Sequence, residues 1–211
     1  MSGDTGSSGA AATPSHWARE CFGKQASGLV TGIPKRLARA HRRARAVHDQ
    51  ADLKKRGPYG HVLAEAVLEE FADEARALGG TVRELRGYDF AVFNGWALFP
   101  FKYSDRPVPL DRARLRADVS AQRKRLLTAH GPEPREGLFP LEDVATTPEY
   151  DKIHEAFEEL GRSTKLVSVF FTASRGEGIH SIHWGEAHLE DDRTFTWSQV
   201  EPLPLYTAKG R

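Results

Sequence analysis

The chain has 211 residues, 39% of them hydrophobic and 28% charged, a balance that suits one domain with a core and excludes wholesale disorder. The formal net charge of +1 excludes an argument from whole-protein electrostatics, but the charge is unevenly placed. Residues 35–56 hold nine basic side chains against Asp49 and Asp52, a local net of +7, while residues 133–193 hold fourteen acidic against six basic, a local net of −8. This asymmetry calls for an anionic partner at the first segment, or for docking of one segment on the other.

Residues 1–15 are mostly Ser, Gly, Ala and Thr with little to bury, so a disordered tail is expected there, without the basic and apolar regions of a signal peptide. A single cysteine, Cys21, excludes an intramolecular disulfide and fits a reducing compartment. No stretch is apolar enough to span a bilayer, so a cytoplasmic protein with no membrane partner is expected. Trp17 and Phe22 are the first anchors of a segment, residues 16–57, that reads as a basic helical arm. Pro34 is well placed to open its helix, which carries a thin apolar stripe of Leu37, Ala40, Ala44 and Val47.

The core domain is expected over residues 58–205, with a short tail at 206–211. Gly57-Pro58 breaks the chain, and a helix follows over about residues 60–78, with Leu63, Val67, Phe71, Ala75 and Leu78 on one face. Glu65, Glu69 and Asp73 lie on a neighbouring face, and Gly79-Gly80 stops the helix. Strands are expected at 81–86, 88–93 and 96–103, the last two joined by Asn94-Gly95, a strong type I′ hairpin signal. Both faces of that hairpin are largely apolar, which predicts layers on both sides of the sheet. A helix over 110–130 carries Arg112, Arg116, Arg123 and Lys124. A Pro- and Gly-punctuated loop follows, then a short helix capped by Thr147 and ended by Gly161. Three strands at 166–172, 178–189 and 194–200 complete a mixed α/β fold.

The Asn94-Gly95 turn fixes a register in which Phe93 faces Trp96, Val92 faces Ala97 and Asp89 faces Pro100. Asp89 and Lys102 then point to the same side of the sheet, diagonally adjacent. A helix followed by three strands, with an Asp on the second and a Lys on the third, resembles the PD-(D/E)xK nuclease superfamily. The resemblance implies that Asp89 and a second carboxylate would hold Mg²⁺ while Lys102 orients the attacking water. Pro100 stands where that second acid belongs, so Glu65 or Glu69 from the preceding helix would have to supply it, or the core is catalytically degenerate. Lys35, Arg36, Arg39, Arg42, Arg43 and Arg45, together with Arg112 and Arg116, would then contact the phosphates of DNA or RNA.

Two other readings stay open. A non-enzymatic interaction module would use the basic arm and the acidic C-terminal half, including in a homo-oligomer. A metal- or small-molecule enzyme would use His180, His183 and His188, with Glu186 between them. Strand parity separates these histidines: His180, Ile182, Trp184, Glu186 and His188 share one face and His183 the other. Polar residues on an exposed sheet face are the simpler account of that strand, though Trp184 and Trp197 would suit stacking on bases.

Overall fold

The computed structural model describes residues 13–51, 57–85, 88–114, 164–190, 192 and 194–205. A short helix, α1 (His16–Phe22), starts under Ser15, whose hydroxyl accepts from the Ala18 amide at 3.0 Å, and ends at Gly23 with φ of 54°. A 3₁₀ turn leads into α2 (Ala26–Gln50), and α3 (Gly57–Leu78) follows. Pro34 therefore lies inside α2 rather than at its start. Proline removes one intrahelical hydrogen bond there, but Leu29, Ile33, Leu37, Ala40 and Ala44 form one buried stripe on both sides of it. Packing overrides the local preference. Val47, expected on that stripe, is 49% exposed.

Among the described residues six strands follow: β1 (Thr81–Leu85), β2 (Tyr88–Phe93), β3 (Trp96–Ser104), β4 (Lys165–Ser174), β5 (Gly178–Leu189) and β6 (Phe195–Pro202). They lie in one sheet in chain order, antiparallel throughout except for the parallel pair β3 and β4. Asn94 and Gly95 both take positive φ, 48° and 79°, as the type I′ turn requires. The sheet is mixed, and the fold is the α/β class that the sequence predicts.

Both faces of the sheet are buried. On one, Ala91, Phe93, Leu98, Val167, Val169, Phe171, Ile182 and Trp184 share a single core with the apolar stripes of α1, α2 and α3. On the other, Phe90, Ala97, Phe99, Phe101, Leu166, Phe170, Ala187 and Leu189 form a second cluster, against which Tyr103, Phe195 and Trp197 pack. Within the segment read as a basic helical arm, Trp17, Phe22 and the stripe of α2 belong to the core of the sheet.

The helix expected from residue 110 is not formed at its start. Leu110–Arg112 is one 3₁₀ turn, Ala113 is extended, and Arg114 bridges to Thr194. Pro107 and Pro109 hold the approach open, and pairing beside β6 takes the backbone groups that a helix would have used. The rest of that helix, with Arg116, Arg123 and Lys124, and the short helix at 147–161 lie outside the described residues, as do most of the expected tails. Among the described residues no helix is long and apolar enough to cross a membrane.

Candidate functional site

Residues that the nuclease resemblance groups together are engaged separately. The β2–β3 ladder holds the expected register at Val92↔Ala97 and Phe93↔Trp96 and goes no further. β3 instead pairs with β4 along its whole length, Pro100 opposite Val169, while β2 pairs with β1. Pro100 has no N–H to give a ladder on either side. Asp89 and Lys102 do face the helix side of the sheet, as alternation requires. Each has another partner: Asp89 accepts from the Arg76 guanidinium at 3.2 Å, and Lys102 binds Asp105 and lies over the Tyr59 ring, 5.5 Å from its centre. Glu65 faces His61 on its own helix at 3.3 Å, and Glu69 binds Arg43. No three His, Cys, Asp or Glu side chains among the described residues form a group that could hold a metal ion.

The basic face of α2 is largely met by α3. Arg36 binds Glu74 at 2.6 Å and Glu70 at 3.1 Å, Arg39 binds Glu70 at 3.1 Å, and Arg43 reaches Glu69 and Glu70. Glu70 is 1% exposed and serves three guanidiniums at once. Burial works against the charge on Arg36, yet hydrogen bonds to Glu74 and Glu70 outweigh it and raise its pKa. Arg45 pairs with Asp49 at 3.4 Å. Lys35 and Arg42 make no ion pair among the described residues. Arg112 is exposed at the end of its 3₁₀ turn, and Arg116 lies outside the described residues.

The histidine strand is covered on both faces, not exposed. Trp184 is fully buried, stacked on Phe22 at 5.1 Å with Trp17 edge-on at 5.5 Å. Trp197 packs on Phe170 at 4.6 Å. Neither face of Trp184 is free for a base. Glu186 accepts from the Trp17 indole at 2.7 Å, tying α1 to β5. A bulge breaks the expected parity: Ser181 pairs with Thr172 but Ile179 with Ala173, which leaves His180 as the extra residue. Ile179 consequently packs on the helix-side core.

Concavity appears where the parallel strands end. A cleft of about 780 Å³ opens at the carboxyl ends of β3 and β4, lined by Tyr59, Lys102, Ser104, Arg106, Ser174 and Arg175 among others. There β3 leaves the sheet toward Leu110–Arg112 while β4 turns back into β5, and the cleft lies between the two exits. Asp105 and Glu177 also line it. A second pocket of about 350 Å³ shares Gly176 and Glu177 with the cleft and is lined by His41, Arg42, Arg45, Gly178 and Ile182. The two are linked through a buried hydrogen bond, Tyr59 hydroxyl to His41 Nδ1 at 2.8 Å. Burial, then Asp105, pushes the Tyr59 hydroxyl up to about 12. Burial also lowers the His41 pKa, assisted by Arg45, Arg42, Lys102 and His180. Beside them the Arg175 guanidinium lies 3.0 Å from His48 Nδ1.

This region is suited to binding an anion. Arg42, Arg45, Lys102, Arg106 and Arg175 converge on it from α2, β3 and the turns after β3 and β4, against Asp49, Asp105 and Glu177. Of the residues expected from sequence, Lys102, Arg42 and Arg45 are brought here; Asp89, Glu65 and Glu69 make their contacts elsewhere. Tyr59, His41, Arg106 and Arg175 were missed. Their one sequence signal is the turn Arg175-Gly176-Glu177-Gly178 after an apolar strand, and it names no partner. Compared with protein-family models, curated proteins and solved structures, the chain matches none.

Proposed function

We propose that the chain is a nucleic-acid-associated protein that holds phosphate groups in the cleft at the ends of β3 and β4 and does not cut the strand it binds. The observation that carries this reading is the convergence of Lys102, Arg106 and Arg175 in a crevice that continues onto Arg42 and Arg45. Cations gathered in a concavity attract phosphate more strongly than the same charges on a flat face, and here Lys102, Arg106 and Arg175 outnumber Asp105 and Glu177. The helix-then-three-strands order behind the nuclease resemblance is retained. The catalytic set that would accompany it is engaged in four separate side-chain contacts, which favours binding without cleavage.

An interaction module built on the basic segment finds less support, because Arg36, Arg39 and Arg43 are held by the buried Glu70, whereas Lys102, Arg45 and Arg175 pair with the exposed Asp105 and Asp49. The test is binding of a labelled duplex and a labelled single strand at low and physiological salt, with Mg²⁺ present and the products run on a gel. Salt-sensitive binding is expected, with intact products. Replacing Arg106 and Arg175 by Ala together should weaken it about tenfold and lower the salt slope by about 2. Absence of binding at low salt rejects the reading. Cleavage that disappears in Lys102→Ala would replace it with an active nuclease.

A further inference from the structure

We infer that the pocket between α2 and the β4–β5 turn is a phosphomonoester site, with His41 donating from Nε2 and Arg42 and Arg45 supplying the charge. The inference deepens the proposed function, since it assigns the end of a strand to this pocket and its body to the adjoining cleft.

Tyr59 is 3% exposed, and its hydroxyl has His41 Nδ1, 2.8 Å away, as its hydrogen-bond partner. If the hydroxyl donates, its proton is satisfied; in the reverse arrangement a buried O–H would be left without an acceptor, a costly state. Donation to Nδ1 leaves the imidazole proton on Nε2. That nitrogen is turned toward Gly178, where φ is +93° and a β-carbon would sit 3.9 Å from it. His41 lines the pocket, so Nε2–H is a fixed donor held by a buried tyrosine.

Arg42 and Arg45, one turn apart on α2, line the same pocket, and both are exposed enough to swing toward a ligand. Arg45 would have to share itself with Asp49, 3.4 Å away, whereas Arg42 has no ion-pair partner among the described residues. Pro34 and Ile182, both buried, line the pocket's inner side. A terminal phosphate, with nearly two negative charges and three acceptor oxygens, matches this donor set better than a singly charged diester. The groups facing His41 are Arg42 and Arg45 from α2, Tyr59 from α3, Lys102 from β3 and His180 from β5. Glu177 is the acid at the rim, 3.6 Å from His180 Nε2 and 75% exposed on its side chain.

The test uses the full chain with inorganic phosphate, and with a single-stranded oligonucleotide carrying either a terminal phosphate or a terminal hydroxyl. Inorganic phosphate should bind and raise the His41 pKa, followed through its imidazole NMR signals, by about one unit. Arg42→Ala, an exposed change that leaves the core alone, should weaken phosphate binding about tenfold. Tyr59→Phe should weaken it less than Arg42→Ala does, because the ring keeps its place but loses its fixed tautomer. A tighter complex with the phosphorylated oligonucleotide assigns the site to a strand end. Phosphate binding with no preference between oligonucleotides retains the site and gives it to a free phosphate ester. Equal oligonucleotide binding with no response to phosphate overturns the inference while leaving the proposed function standing. Phosphate binding unchanged by Arg42→Ala overturns it too.

Discussion

A carboxylate that is 1% exposed needs partners in place of water, and Glu70 has three in Arg36, Arg39 and Arg43. Removing one member of a buried ion pair costs far more than removing an exposed one, because the survivors lose their compensation in a poorly solvated place. Glu70→Ala should therefore destabilise the chain by about 3 kcal/mol in urea denaturation, the lower part of the usual range because Arg39 and Arg43 retain access to water. Glu69, 58% exposed and paired only at the surface, should cost less than about 1 kcal/mol on the same substitution. Equal costs would show that the α2–α3 contact is apolar packing with decorative charge. Sequence reading found the acidic side of α3 but singled out Glu65, Glu69 and Asp73. Glu70 stands beside an apolar stripe, and nothing in its spacing tells that α2 brings three arginines to it. Lys102 was legible as a lysine on a third strand; its neighbours Tyr59, His41 and Arg175 come from distant parts of the chain and were not.

At the level of elements, most of the sheet was legible because period-two alternation and turn chemistry act locally. Asn94-Gly95 and the strands from 165 onward lie close to where the pattern puts them. Two features were decided at longer range. Pro34 signals a helix start, yet burial of Leu29, Val30 and Ile33 extends α2 upstream of it to Ala26. The hairpin register was right at its turn and not beyond, because β3 has β4 as its main partner and no local rule reports a parallel neighbour from 60 or more residues away. Gly185 shows how tight the later pairing is: a β-carbon there would meet the Gln199 carbonyl oxygen at 2.1 Å and the Val200 Cα at 2.8 Å. Both obstacles are backbone, so strand β6 itself must move. Gly185→Ala should lower stability by about 3 kcal/mol, read as a drop in thermal midpoint. Gly95→Ala meets nothing within 4 Å and strains only a positive φ, so about 1–2 kcal/mol is expected. A smaller loss at Gly185 than at Gly95 would mean that β6 is free to shift.

The whole molecule carries a pH dependence that follows from its layered burial. His41 on the helix side and His183 on the sheet both have pKa values lowered from 6.5, with burial the largest cause in each. An unfolded chain binds these protons near pH 6.5, whereas the folded chain resists them until the pH is lower. Between those points the unfolded state holds more protons, so stability is complete above about pH 6.5 and falls as the pH drops through the lowered values. Unperturbed carboxylates titrate near pH 4, which leaves a window at about pH 5–6.5 where histidine effects dominate. Thermal midpoints measured across that window should fall, and His183→Gln should flatten the slope by removing one titrating group. Phosphate should act on the other: an anion beside His41 favours its protonated form, so the acid-side loss shrinks in phosphate relative to a chloride buffer of equal ionic strength. The effect should vanish in Arg42→Ala. Midpoints that stay level from about pH 7.5 to 5.5 would mean that both rings reach water without unfolding, and the tie between buried histidine and a charged pocket would be lost with it.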